Sequence, residues 1–285
     1  MTVIKGTAPA KVNLTLHVTG QRTDGYHQLD SLVVFANVFD HITATTANDL
    51  KLRVSGPFSA GIPTDDSNLV LRAAHALRDA RGVTTGADLH LEKHLPHAAG
   101  IGSGSSDAAI TLAMLADLWD VPPLDPKADE VTALGADVPV CLHAPDPMRM
   151  MGIGDVLLPL PRLPDCAIVL VNPRVSVPTG PVFEGLKSKR NPGMATLPTG
   201  LQFPEFAQWL AEQRNDLEPP ARAIAPEVDA VLSKLQSMPL VAHAGMSGSG
   251  ATCYGLVRNM DDAIKVARAV QVAQMGWWVA PAKLL

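Results

Sequence analysis

The chain has 285 residues, of which 47% are hydrophobic and 18% charged, with Lys and Arg numbering 23 against 28 Asp and Glu. The resulting net charge of −5 excludes a role centred on nucleic acid or anionic lipid, since either needs a basic field. Sparse charge with a large apolar fraction also excludes a disordered or coiled-coil chain, and the length suits one large domain or two ordinary ones.

Residues 11–18 (KVNLTLHV) alternate apolar and polar side chains. That predicts a half-buried strand with Lys11 and Asn13 together on its polar face, off the core. Asp24-Gly25 is a turn signal. The Tyr26-His27 pair on that turn either stacks on and hydrogen-bonds a base or closes a hairpin. Residues 29–38 and 50–54 read as further strands. Asp66 or Ser67 is expected to cap a helix that begins near Asn68, keeps helical spacing through Leu69, Leu71, Ala73, Ala74 and Leu77, and stops at Gly82. Residues 87–95 alternate as a strand. A helix from about 106 to 119 is apolar on nearly every side and therefore buried. A short helix over 126–134 ends at Gly135.

Residues 145–165 hold several prolines and no clear period, which places a domain boundary near 155–165. A buried strand over 166–172 follows, then a mobile surface loop over 186–200. Helices are expected near 204–213 and 226–237. Residues 244–257 (AGMSGSGATCYGLV) read as strand, tight glycine turn, strand. A helix over 261–274 and a strand over 277–280 complete the chain. Strands and helices mix without a regular βαβ beat, so the fold class is α+β in two lobes, 1–158 and 159–285. Three scattered cysteines, Cys141, Cys166 and Cys253, have no metal-ligand spacing and suit buried thiols in a reducing compartment. The N-terminus carries no secretory pattern and no apolar run reaches the ~20 residues of a membrane span, so the protein is expected to be soluble and cytoplasmic.

The sharpest chemical feature is Leu95–Ala109, LPHAAGIGSGSSDAA. Gly100, Gly102 and Gly104 alternate, and without Cβ atoms they let backbone N–H groups approach a polyanion. The helix that follows adds unpaired N–H groups and a partial positive charge. A strand, glycine loop and helix in that order suit phosphate binding. The spacing is neither a Rossmann fingerprint nor a Walker A loop. A second glycine run, GMSGSGA at 245–251, reads as a bulged hairpin or as a sharp turn against another loop or a ligand. Asp137, between a helix stop and Pro139, is either a turn or capping carboxylate or a general base. Lys11, beside Asn13, is either a solvated lysine or a functional cation.

Taken together, these segments resemble the GHMP kinase superfamily. The match runs in order through APAKVNLTLHVTGQRTDGYHQLDSL, NLVLRAA, the glycine loop, GADVPV, VSVPTGPVF, NDLE and MSGSGA. The opening segment and DGYH are closest to those members that phosphorylate the C2 hydroxyl of a cytidine-diphosphate-linked methylerythritol for non-mevalonate isoprenoid synthesis. The resemblance implies an N-terminal ATP-binding lobe and a ferredoxin-like C-terminal lobe.

By position, Lys11 and Asp137 match the catalytic pair, Asp137 as base and Lys11 as the cation that holds the hydroxyl or Asp137 in place and offsets γ-phosphoryl charge. Pro96, His97, Ala98, Ala99, Gly100, Ile101, Gly102, Ser103, Gly104, Ser105 and Ser106 would wrap the ATP phosphates. Asn68 and Lys93 match positions near the nucleoside, and Lys93 is a further candidate to offset phosphate charge. Tyr26 and Phe183 would sandwich a cytosine whose polar edge His27 reads, and Asn13 and Thr179 would contact the acceptor. Magnesium is expected with ATP, its protein ligands unassigned. The implied partner is a small molecule, with no nucleic acid or membrane, and the protein is a monomer or weak homodimer. Ser103 stands where the family usually has glycine, and Ile101 where leucine is usual; serine is strained if that backbone has positive φ. Two alternatives remain: a smaller acceptor such as mevalonate or homoserine, or a non-catalytic nucleotide-binding protein on the same scaffold.

Overall fold

A computed structural model describes residues 2–285. In chain order the elements are β1 (Val3–Asn13), β2 (His17–Gln21), β3 (His27–Ala47), β4 (Lys51–Ser55), α1 (Leu69–Arg81), β5 (Gly86–Glu92), α2 (Ser103–Trp119), α3 (Asp129–Thr132), α4 (Val138–Cys141), β6 (Met148–Gly152), β7 (Val156–Pro159), β8 (Ala167–Asn172), α5 (Thr179–Glu184), α6 (Phe203–Ala211), α7 (Glu218–Ile224), α8 (Pro226–Gln236), β9 (His243–Met246), β10 (Cys253–Val257), α9 (Met260–Ala273) and β11 (Trp278–Lys283). They form two compact units, each assembled from separated stretches of chain.

One unit takes in the chain up to Ala10, Val38–His97 and Gly102–Ala144. Here the second part of β3 pairs antiparallel with β5, from His41 against Glu92 to Ala47 against Gly86. β4 pairs with β5 in parallel, so β4, α1 and β5 form a βαβ unit. Asn68 caps α1 itself: its side chain accepts the Val70 N–H, where Asp66 or Ser67 was expected. Only Asn68 reaches that amide from an extended backbone one residue before the helix. Gly82 ends α1 in the left-handed conformation, at φ 63°. Its buried Val70, Leu71, Ala73, Ala74 and Leu77 face inward against α2.

α2 is buried around most of its circumference, as its composition predicts, but it starts at Ser103, three residues before the expected 106. Gly6 on β1 makes close packing possible, since a Cβ there would stand 2.4 Å from Met114 Sδ. The helix expected over 126–134 shrinks to α3, four residues long.

The other unit takes in Lys11–Asn37, Ala98–Ile101 and Pro145–Leu285. Its first part of β3 pairs with β2, with a bulge between Val18 and Gly20, and with β6, which pairs with β7. β6 and β7 lie where no period was legible, because MRMMG offers neither alternation nor β-branched residues. A four-stranded antiparallel sheet in the order β11-β8-β10-β9, with α8 and α9 as crossovers, is the ferredoxin-like arrangement expected. Val169, Val171, Val228, Val231, Leu235, Cys253, Val266 and Val270 belong to its apolar core.

Two readings of this unit change. The strand expected over 11–18 is interrupted at Leu14–Leu16, and its polar side is not solvated: Lys11, Asn13, Thr15 and His17 are each at most 3% exposed. Polar atoms of Asn13 and Thr15 are taken up inside, Asn13 Nδ2 donating to Ser31 Oγ at 2.8 Å and the Leu32 N–H donating to Thr15 Oγ1 at 2.9 Å. The loop 186–200 is also tied down in part. Met194 is buried, its N–H donating to Asp30 Oδ2 at 2.9 Å while Arg149 donates to its carbonyl at 3.1 Å.

Candidate functional site

Ala98–Ile101 folds against the second glycine run within one unit. Gly100 has φ 76°, and a Cβ on it would stand 2.3 Å from the Ser247 carbonyl oxygen. Gly248, at φ 57°, is also close in return, its ideal Cβ 2.8 Å from the Gly100 carbonyl oxygen. Ser247 Oγ donates to that carbonyl at 2.8 Å and accepts the Asn13 N–H at 3.0 Å. The Thr252 N–H donates to Ala99 O and the Lys11 N–H to Ile101 O. Asn215 Nδ2 donates to the Met246 and Gly248 carbonyls. The run at 245–251 is therefore a turn against another loop as well as the link between β9 and β10.

This interlock makes a prediction about stability. Gly100→Ala combines a left-handed backbone with a carbonyl in the way and is expected to destabilise by at least ~1–3 kcal/mol. A urea denaturation midpoint that does not move would show the two loops to be looser than described.

Lys11 lies near the end of β1, 3% exposed, with Nζ donating to Asn13 Oδ1 at 2.8 Å. Asn13 in turn donates to Ser31, whose hydroxyl donates to Thr15 O. A lysine taken out of water needs such partners, and the chain of side chains fixes where its ammonium points. The reading of Lys11 as a solvated surface lysine falls.

His27 and Phe183 are brought together as stacked rings, centroids 4.7 Å apart and planes at 24°. Tyr26 is 63% exposed and outside this stack. His27 Nε2 is buried without a hydrogen-bond partner. Burial, helped by the Lys189 ammonium, lowers the His27 pKa, and a neutral imidazole offers one donor and one acceptor. Thr179, exposed at the start of α5, shares a hydrogen bond of 2.9 Å with Ser249 Oγ.

In the other unit, Gly102 is the cap of α2 at φ 55°, and no side chain caps that helix start. Its first N–H groups are therefore left for a ligand or solvent. Ser103 is already helical, with Oγ donating to Pro96 O at 3.2 Å. The positive φ falls on glycine at 100 and 102, and on Ala98 at φ 50°, so serine at 103 is not strained. Gly104 and Ser105 are half-buried, Ser106 is buried, and His97 and Ala98 are exposed. Asp137 is half-buried at the cap of α4 and makes no side-chain cap bond, which removes the capping role.

Two residues expected near the nucleoside have their side chains held by protein partners. Asn68 spends its amide on Pro63 O and its oxygen on Val70 N. Lys93, 2% exposed, holds Asp107 Oδ2 at 2.7 Å and also bonds Asp40 Oδ2. An ammonium already outweighed by two buried carboxylates has no charge to lend to phosphate, which argues against the charge-offset reading. Asp40 was overlooked; its one signal was a lone carboxylate in the apolar run VFANVFDHI.

Among the described residues no group of three or more His, Cys, Asp or Glu converges to hold a metal ion, and no helix is long and apolar enough to cross a membrane.

Comparison with known proteins gives a consistent picture. Residues 68–147 match the GHMP kinases N terminal domain and residues 201–274 the GHMP kinases C terminal domain. A 4-diphosphocytidyl-2-C-methyl-D-erythritol kinase of Cereibacter sphaeroides (strain ATCC 17029 / ATH 2.4.9) is 53% identical over 98% of each chain. One from Ruegeria pomeroyi is 51% identical over 99% of each. Among solved structures, a 4-(cytidine 5'-diphospho)-2C-methyl-D-erythritol kinase superposes with TM-score 0.78 at 32% identity over 99% of both chains. A homoserine kinase from Cytophaga hutchinsonii, TM-score 0.68 at 16% identity, covering 100% of this chain and 95% of its own, shares the fold.

Proposed function

The chain belongs to the GHMP kinases, which are ATP-dependent phosphotransferases, and we propose that it transfers the γ-phosphoryl group of ATP to the C2 hydroxyl of 4-diphosphocytidyl-2-C-methyl-D-erythritol. The observation that carries the acceptor is the His27–Phe183 stack, with its buried and unpartnered Nε2. A flat apolar face beside an unmet polar atom suits a pyrimidine, whereas mevalonate or homoserine presents no ring to it.

In this reading the start of α2 and the glycines at 100–104 receive the triphosphate through backbone N–H groups, which carry no charge of their own to desolvate. Lys11, oriented by Asn13, steadies the acceptor hydroxyl and offsets charge on the transferring group. Asp137 takes the hydroxyl proton. Magnesium, expected with ATP, would supply charge neutralisation of the phosphates. The protein side therefore works mainly by alignment and electrostatics, as phosphoryl transfer requires. Thr179 lies beside the acceptor.

Tyr26 closes over the cytosine when it is bound. Tyr26→Ala is expected to raise KM for the cytidyl acceptor with little change in KM for ATP, because base stacking is worth ~1–3 kcal/mol. An unchanged acceptor KM would remove Tyr26 from the base site. The deciding experiment measures ADP release from ATP with the diphosphocytidyl acceptor, with mevalonate, with homoserine and with none. Release that depends on the cytidyl acceptor is expected. Release with a smaller acceptor, or ATP binding with no acceptor-dependent release, would overturn the reading.

A further inference from the structure

Asp107 sits in α2 five residues into the helix, about 6 Å along the axis from Ser103. We propose that Asp107 is a positioning residue that couples a proton to nucleotide binding, neutralising the cluster beneath the start of α2 when the ATP phosphates arrive. The inference rests on the reading of that helix start as part of the phosphate site.

The geometry is a buried cluster of three ionisable side chains, Asp40, Lys93 and Asp107, exposed by 0%, 2% and 3%. The two carboxylates do not fare alike. Asp40 collects the Lys93 ammonium and the backbone N–H groups of His94 and Leu95. Asp107 has the Lys93 ammonium on Oδ2, and its buried Oδ1 has no partner. One cation does not balance two carboxylates, and the one with fewer donors is the less stabilised as an anion and takes a proton more readily.

Burial accordingly raises the Asp107 pKa to about 7, with Lys93 opposing and the Asp40 carboxylate adding to the rise. Other ionisable groups stand on the elements packed against α2 or beside the cluster. They are Lys5 on β1, His41 on β3, Asp88, His90 and Glu92 on β5, His94 next to Lys93, and Arg72, His75, Arg78, Asp79 and Arg81 on α1. Asp137 and Cys141 belong to α4 and its cap. The charges acting on Asp107 are those of Lys93 and Asp40.

With Asp107 ionised the cluster carries a net negative charge close to N–H groups that must hold a polyanion. With Asp107 protonated it is neutral. Phosphates at the helix start therefore favour the protonated form, and by linkage the proton favours phosphate binding.

The test is calorimetric titration of the full chain with magnesium-ATP near neutral pH, in buffers of different ionisation enthalpy, for wild type and Asp107→Asn. It is paired with KM for ATP from roughly pH 6 to pH 8.5, either side of the group's titration. Wild type is expected to take up protons on binding, and its KM for ATP should rise on the order of three- to tenfold more than the variant's across that range. The amide resembles the protonated acid, so Asp107→Asn should show neither effect. Ionisation of the nucleotide is common to both proteins and cancels. ATP binding with equal proton uptake and parallel profiles in the two proteins overturns the coupling alone. Absence of ATP binding to wild type overturns the kinase reading and the coupling with it. If the variant does not fold, the wild-type titration still decides: uptake no greater than that of magnesium-ATP itself overturns the coupling.

Discussion

Asp137→Asn is expected to lower kcat by about 10²–10⁴ while ATP binding stays close to wild type. The substitution keeps the shape of the side chain and removes its ability to accept a proton. Asp137 stands at the cap of α4 in helical backbone conformation without a side-chain cap bond, so the amide leaves that helix start as it is. A sugar-alcohol hydroxyl is a weak nucleophile, and a positioned carboxylate aids its deprotonation as the phosphorus–oxygen bond forms. The loss should fall on kcat with the acceptor saturating, and a nucleotide titration should give an unaltered affinity. Near wild-type turnover would remove Asp137 from the base role and leave positioning and charge as the whole of the catalysis.

Lys93→Met is expected to destabilise the protein by about 3–5 kcal/mol at neutral pH, the cost of leaving buried charge without its partner. The ammonium is the bridge between Asp40 and Asp107, and neither carboxylate reaches water. Methionine fills the volume of the lysine stem but leaves two acids sharing one apolar space. In the variant the Asp107 carboxyl, already raised by burial, loses the opposing Lys93 ammonium and its folded-state pKa rises further above the unfolded one. Stability is then highest below the unfolded carboxylate range and falls as pH climbs through the raised value. Urea midpoints at an acid and at a neutral pH should therefore differ more in the variant than in wild type. A loss under about 1 kcal/mol at neutral pH would mean that water or another cation reaches the cluster.

The contrast between Asn68 and Asp137 shows how sequence position and role separate. Both match family positions near ligands, and both stand at the cap of a helix. Only Asn68 uses its side chain for the cap; Asp137 makes no such bond. No spacing rule distinguishes them, because cap hydrogen bonding depends on backbone angles that the residue types permit but do not dictate. The same holds for the polar face of β1. Alternation placed Lys11, Asn13, Thr15 and His17 on one side; whether that side met water or protein depended on Ser31, Met194, Ser247 and the Pro192 carbonyl, all distant in sequence.

From sequence alone came the family resemblance, the α+β class, the helices α1, α2, α6, α8 and α9 and the strands β4, β5, β8 and β11 to within a few residues, and the glycine loop ahead of α2. These are local quantities: side-chain periodicity, glycine freedom and motif order survive in a linear string. Tertiary structure decided the rest. It locked Gly100 against Ser247, stacked Phe183 on His27, and committed Lys93 to Asp40 and Asp107. Each of these joins residues from different elements, and the free energy of burying a charge or a ring depends on which neighbours the fold brings to it.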